Sequence, residues 1–181
     1  MAAEQKDRVI QEHNEPGSSA LAAQVVAQLT ERKLTVAVAE SLTGGLLAAT
    51  FVQVPGASSV FLGGVVAYNT ELKRSVLHVD ADLLAARGAV DPAVARQMAH
   101  NVRSVLAVDG APAAIGMATT GVAGPDGQDG HAPGEVYVGI SFGEHDTVRR
   151  LHLRGSRDFI RTQVVTECLS ALRLLLQDND S

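Results

Sequence analysis

From Leu21 onward, apolar side chains return at four-residue steps (Leu21, Val25, Leu29), a spacing that predicts an amphipathic helix capped by Ser18 or Ser19. The uninterrupted run "TVAVA" (35–39) reads as a short buried strand. "LLAATFVQV" (46–54) reads as a helix that stops before Pro55-Gly56. A second strand is expected over "FLGGVVAY" (61–68), followed by a helix start at "NTELKRSVL" with Asn69 or Thr70 as cap. "DADLLAARG" predicts a short helix between Asp80 and Gly88, and Asp91-Pro92 opens another with the stripe Val94, Met98, Val102 and Leu106. "AAIGMATT" (113–120) is a third strand, emptying into the Gly- and Pro-rich "GVAGPDGQDGHAPGE". "VYVGISFG" and "TVRRLHL" flank a Gly-Glu-His-Asp turn and predict an antiparallel hairpin. Ser156 then caps a long last helix with the stripe Ile160, Val164, Cys168, Leu172 and Leu176.

Strands that alternate with helices and close on a hairpin and a helix predict an α/β fold, a three-layer α/β/α sandwich with a mixed sheet. Residues 1–17 are polar and mixed in charge, a composition expected of a flexible lead-in, with 18–181 as a single domain. A chain of 181 residues with 46% apolar content has enough apolar surface for one core. The formal charge of −5, with Lys and Arg scattered along the chain, argues against nucleic acid or an anionic membrane as partner. A small anion stays possible, since a helix terminus and one or two cations suffice to hold a phosphate. Cys168 is alone, so there is neither an internal disulfide nor a thiolate zinc cluster, as in a reducing cytosol; its stripe makes it a small buried hydrophobe. No apolar run approaches the roughly 20 residues of a membrane span, and the N-terminus lacks the apolar core of a signal peptide. A soluble, cytoplasmic protein is expected.

In open α/β sheets, ligands gather where strands end and helices begin. Three such junctions stand out: Ser41 to Gly45, Tyr68 to Lys73, and Thr119 to Pro125. Ser41 or Thr43 either caps the next helix or presents a hydroxyl beside glycines whose amides can face a developing negative charge. Lys73 is either a solvated surface charge or a base whose pKa is lowered by the positive end of its helix and by a cleft. Tyr68 either packs on the strand, or relays a proton or stacks on a planar ring. Asp126, Asp129 and His131 miss the calcium-loop pattern, and the histidines have no metal-ligand spacing, so no metal or cofactor is expected. Arg149, Arg150, Arg154, Arg157 and Arg161 form either a phosphate site or a solvated face.

The blocks "AESLTGGLLAA", "VPGASSVFLGGVVAYNTELK", "GAVDPAVARQMA" and "TTGVAGPDG" resemble, in order and spacing, the C-terminal domain family of the competence/damage-inducible protein CinA. The resemblance covers about residues 20–177. Stand-alone members of that family are nicotinamide-nucleotide amidohydrolases, so the resemblance implies hydrolysis of nicotinamide mononucleotide to nicotinate mononucleotide and ammonia. It matches Ser41 to the nucleophile, Lys73 to its base and Tyr68 to a partner in the site. Expected beside them are oxyanion or substrate contacts from Thr43, Gly44, Gly45, Thr120 and Gly121, and a phosphate contact from Arg149 or Arg157, on a homo-oligomer. Larger relatives carry an N-terminal domain for ADP-ribose-like substrates, which 181 residues are too few to include. The sequence departs from the family pattern at Leu42 (commonly Cys), Asp91 (usually Ser) and in "QDGHAPGEV". The rival expectations are a catalytically silent nucleotide-binding module and a hydrolase of another small amide.

Overall fold

The computed structural model describes Lys6–Val9 and residues 17–178. Along the chain lie β1 (Lys6–Val9), α1 (Ser18–Arg32), β2 (Val36–Glu40), α2 (Leu46–Val52), a single 3₁₀ turn at Ala57–Ser59, β3 (Phe61–Val66), α3 (Thr70–Ser75), α4 (Ala81–Arg87), α5 (Pro92–Val105), β4 (Ile115–Gly121), β5 (Glu135–Phe142), β6 (His145–His152) and α6 (Arg157–Asp178). Among the described residues these strands form one mixed sheet in the order β1-β6-β5-β4-β2-β3. β2 runs parallel to both β3 and β4, whereas β4, β5 and β6 are successively antiparallel.

The layers follow from the two-residue alternation of the strands. In β2, Val36 and Val38 enter a core shared with α1, α2 and α6, together with Ile115 and Met117 of β4. Ala37 and Ala39 face the other way, with Ala118, against Met98, Ala99 and Val102 of α5. The second face is built from small residues because α5 lies almost on the backbone of the sheet. A Cβ placed on Gly116 would sit 1.9 Å from the Ala99 carbonyl oxygen, and one on Gly139 would sit 2.4 Å from that of Ala95. The result is the three-layer α/β/α sandwich.

The expected caps act at most helix starts. Asn69 accepts from the Glu71 amide, Asp80 from Asp82 and Leu83, Asp91 from Ala93, and Ser156 from Phe159. α1 differs, since Gly17 occupies its cap position and no side chain closes the helix. α5 ends at Val105, leaving Leu106 as its half-buried C-cap. The hairpin is tighter than its sequence suggested. Phe142 pairs with His145, so the turn is Gly143-Glu144 and His145 and Asp146 belong to the strand. β1 was not legible in "KDRV"; it pairs in parallel with β6, while 1–5 and 10–16 of the expected flexible segment lie outside the described residues. Cys168 is fully buried, and desolvation pushes its thiol pKa well above the usual range, as expected of a core residue. No helix among the described residues is long and apolar enough to cross a membrane.

The close seat of α5 gives a stability test. Gly139→Ala drives a methyl into the Ala95 carbonyl and is expected to cost at least about 2 kcal/mol, read from urea unfolding; a loss under about 0.5 kcal/mol would contradict the packing.

Candidate active site

β2 has one neighbour that follows it directly through α2 (β3) and another (β4) reached through α3, α4 and α5. The connections therefore diverge at the carboxyl end of β2, where open sheets leave a crevice. The last residue of the strand, Glu40, continues the alternation of Val36 and Val38 and is wholly buried beneath the start of α2. There its carboxylate accepts hydrogen bonds from the amides of Gly45 (3.0 Å), Leu47 (3.1 Å) and Ala48 (2.8 Å). The first amides of a helix have no partners within it, and Gly45 at the cap position brings no side chain. Glu40, reaching back from the strand, supplies the cap.

To bring those amides onto Glu40 the chain doubles back over residues 41–45. Gly44 and Gly45 both take positive φ (+59° and +95°), where other residues are strained. The Gly44 amide donates to the Ser41 carbonyl, and a Cβ at Gly44 would stand 3.4 Å from Arg161 Nη2. The Ser41 amide donates to the Thr119 carbonyl of β4 at 2.9 Å, and the Thr43 and Thr119 hydroxyls share a hydrogen bond of 2.8 Å. From α6, Arg161 donates through Nε to the Leu42 carbonyl (3.1 Å) and through Nη2 to that of Thr43 (3.0 Å).

This turn delivers Ser41, 8% exposed, to Lys73. The Lys73 ammonium, on α3, donates to Ser41 Oγ at 3.1 Å and to the Ala67 carbonyl at 2.8 Å. Lys73 is 1% exposed. Burial lowers its pKa from the ordinary 10.5 to about 8. The cause is desolvation rather than the helix end that its sequence position suggested.

The pair lies at the wall of a cavity of about 370 Å³, bounded by Tyr68, Thr70, Thr120, Gly121, Arg157 and the segment 122–128. Tyr68 is 60% exposed at its mouth. Arg157, at the start of α6, donates to Tyr68 Oη at 3.0 Å and to the Gly124 carbonyl at 2.7 Å, joining opposite rims. The Thr120 hydroxyl is turned away onto the Ala89 carbonyl (2.6 Å).

Ser41, Tyr68, Lys73, Thr120, Gly121 and Arg157 are thus brought together as the sequence suggested, while Thr43, Gly44, Gly45 and Arg149 do not line the cavity. The Gly44 and Gly45 amides are engaged by Ser41 and Glu40, so these glycines shape the turn and do not offer donors. Arg149 lines a different cavity, beside the C-terminal half of α6, with its guanidinium 3.7 Å from Glu167. Glu40 has no role in the sequence reading, and Arg161, expected in a phosphate site or on a solvated face, grips the serine turn instead. Alternation with Val36 and Val38 was the available signal for Glu40, and the one-turn spacing from Arg157 was the signal for Arg161. Among the described residues, no grouping of three or more His, Cys, Asp or Glu could hold a metal ion.

A mixed α/β/α domain with a buried serine hydroxyl on a desolvated lysine, opening to a cavity, is the architecture so defined. The profile of the CinA C-terminal domain matches residues 18–176, and the chain belongs to that family. It is 46% identical over 152 residues to a CinA-like protein of Frankia casuarinae, covering 84% of this chain and 34% of the relative. A putative competence-damage inducible protein of Geobacillus kaustophilus is also 46% identical, over 153 residues, with 83% and 36% covered. The chain spans about a third of the length of these relatives. Among solved structures, a CinA superfamily protein from Klebsiella pneumoniae superposes with a TM-score of 0.85 at 29% identity, covering 90% of this chain and 99% of that one. The competence/damage inducible protein of Agrobacterium tumefaciens gives 0.81 at 30% identity, covering 92% and 99%.

The lysine leaves a thermodynamic signature. Its pKa is about 8 when folded and near 10.5 when unfolded, so between those pH values the unfolded chain holds more protons and stability rises with pH. Lys73→Met is expected to flatten that rise between pH 8 and 10.5 relative to wild type, read as the pH dependence of the urea-unfolding free energy. Parallel curves would mean that Lys73 titrates normally.

Proposed function

We propose that this chain hydrolyses the carboxamide of nicotinamide mononucleotide to nicotinate mononucleotide and ammonia through an acyl-enzyme on Ser41. The observation that carries the reading is the 3.1 Å contact between Ser41 Oγ and the buried Lys73 amine at a cavity of about 370 Å³. With a pKa of about 8, about a tenth of Lys73 is neutral at pH 7, which suffices for a general base.

Neutral Lys73 takes the Ser41 proton as Oγ attacks the carboxamide carbon and the carbonyl electrons move onto oxygen. Among the described residues, the amides of Leu42 and Thr43 have no hydrogen-bond acceptor, and Leu42 lines the cavity. These two are the donors assigned to the oxyanion, each worth about 3 kcal/mol in such a role. As the tetrahedral adduct collapses, the C–N bond breaks and the Lys73 ammonium returns its proton to the departing nitrogen, releasing ammonia. Water then attacks the ester with Lys73 again as base, freeing nicotinate mononucleotide and restoring the Ser41 hydroxyl. Among the described residues Arg157 is the arginine at the cavity, and it is assigned to the substrate phosphate; Tyr68, held by it, flanks the ring.

The test is ammonia release from nicotinamide mononucleotide. Ser41→Ala and Lys73→Met should each lower kcat at least about 1,000-fold. For the wild type, kcat/KM should climb with pH through a midpoint of about 8. Mutants with wild-type turnover, or a wild type that releases no ammonia, would end the reading.

A further inference from the structure

The turn after Ser41 is strung between an acidic and a basic side chain. Glu40 holds the amides at its far end, and Arg161 holds the carbonyls of Leu42 and Thr43 from the flank of α6. A trans peptide is planar, so its N–H points opposite to its C=O, and whatever grips the oxygen aims the hydrogen. Arg161 Nε on the Leu42 oxygen therefore fixes the direction of the Thr43 N–H. Nη2 on the Thr43 oxygen fixes the Gly44 N–H, which is received by the Ser41 carbonyl. That second bond in turn directs the N–H of the Ser41–Leu42 peptide. Both amides without an acceptor thus take their orientation from one guanidinium, whose Nη1 lies 3.6 Å from the exposed Asp158.

We propose that Arg161 is a positioning residue that aligns the Leu42 and Thr43 amides on the oxyanion of the reaction at Ser41. The proposal rests on the acyl-enzyme reading of Ser41 and needs no particular amide as substrate. Arg161 touches neither Ser41 Oγ nor Lys73, so its loss should spare substrate binding and the base while raising the barrier of the acylation step. Lysine, a single point charge, can serve one carbonyl at a time and should rescue in part.

The experiment compares wild type, Arg161→Met and Arg161→Lys in two assays: ammonia release from nicotinamide mononucleotide, and the rate at which a fluorophosphonate adds to Ser41, followed by intact mass. Attack on phosphorus also develops charge on an oxygen beside Ser41, so the second assay reads the same amides without the natural substrate. Arg161→Met should lower kcat and the phosphonylation rate by about 100-fold. KM should stay within about threefold and the midpoint of the pH profile should not move, with Arg161→Lys falling between. Unchanged rates in both assays would overturn the proposal. So would a joint shift of KM and of the pH midpoint, which marks general loss of the pocket. If the wild type releases no ammonia yet is phosphonylated, and Arg161→Met slows that addition as stated, the substrate reading fails and the positioning role stands. A wild-type Ser41 inert in both assays refutes both.

Discussion

The carboxylate of Glu40, withdrawn from water beneath α2, is the constraint on which the local architecture depends. A carboxyl group in such a place is costly unless its oxygens are satisfied, and the unpaired amides at a helix start are the donors best suited to satisfy them. Strand and helix are thereby tied directly to each other across residues 41–45. The chain between them must reverse through Gly44 and Gly45, and Ser41 is left where the reversal begins.

A second burial sets the chemistry. Lys73 lies among residues that offer its amine a carbonyl and a hydroxyl, so desolvation favours the neutral form. The hydrogen bond to Ala67 also fixes the amine in space and holds it against the serine. Two wholly buried ionisable groups thus flank one small hydroxyl with opposite outcomes: Glu40 is saturated with donors and serves the backbone, while Lys73 is left short of charged partners and meets the Ser41 hydroxyl.

Much of this was legible in the sequence, for physical reasons that differ by element. The stripes of α1, α5 and α6, the Asp and Asn caps and the pattern of strands are local properties, and they fixed the three-layer sandwich. The edge strand β1 escaped because an edge needs no apolar alternation, and "KDRV" has none. Ser41, Tyr68 and Lys73 stood out through their junctions and the family pattern and Arg157 through the arginine cluster, but Gly44, Gly45 and Arg149 take other places than expected. Gly44 and Gly45 look alike in sequence whether they admit a ligand or turn a chain; only their φ angles and the acceptors of their amides tell the difference. Arg149 and Arg161 belong to one arginine-rich stretch. Whether either reaches the serine turn depends on strand face and helix phase: Arg149 lines a different cavity, and Arg161 meets the turn.

The parts of the serine turn are spread unevenly along the chain. Ser41 and Lys73 are 32 positions apart, but the guanidinium that grips the turn lies 119 and 118 positions beyond the carbonyls it holds. During N-to-C-terminal synthesis Ser41 and Lys73 leave the ribosome before the last helix arrives to hold the turn. The turn is therefore gripped only after α6 has been made, and a nascent fragment carrying Ser41 and Lys73 lacks the bonds that hold the Leu42 and Thr43 carbonyls.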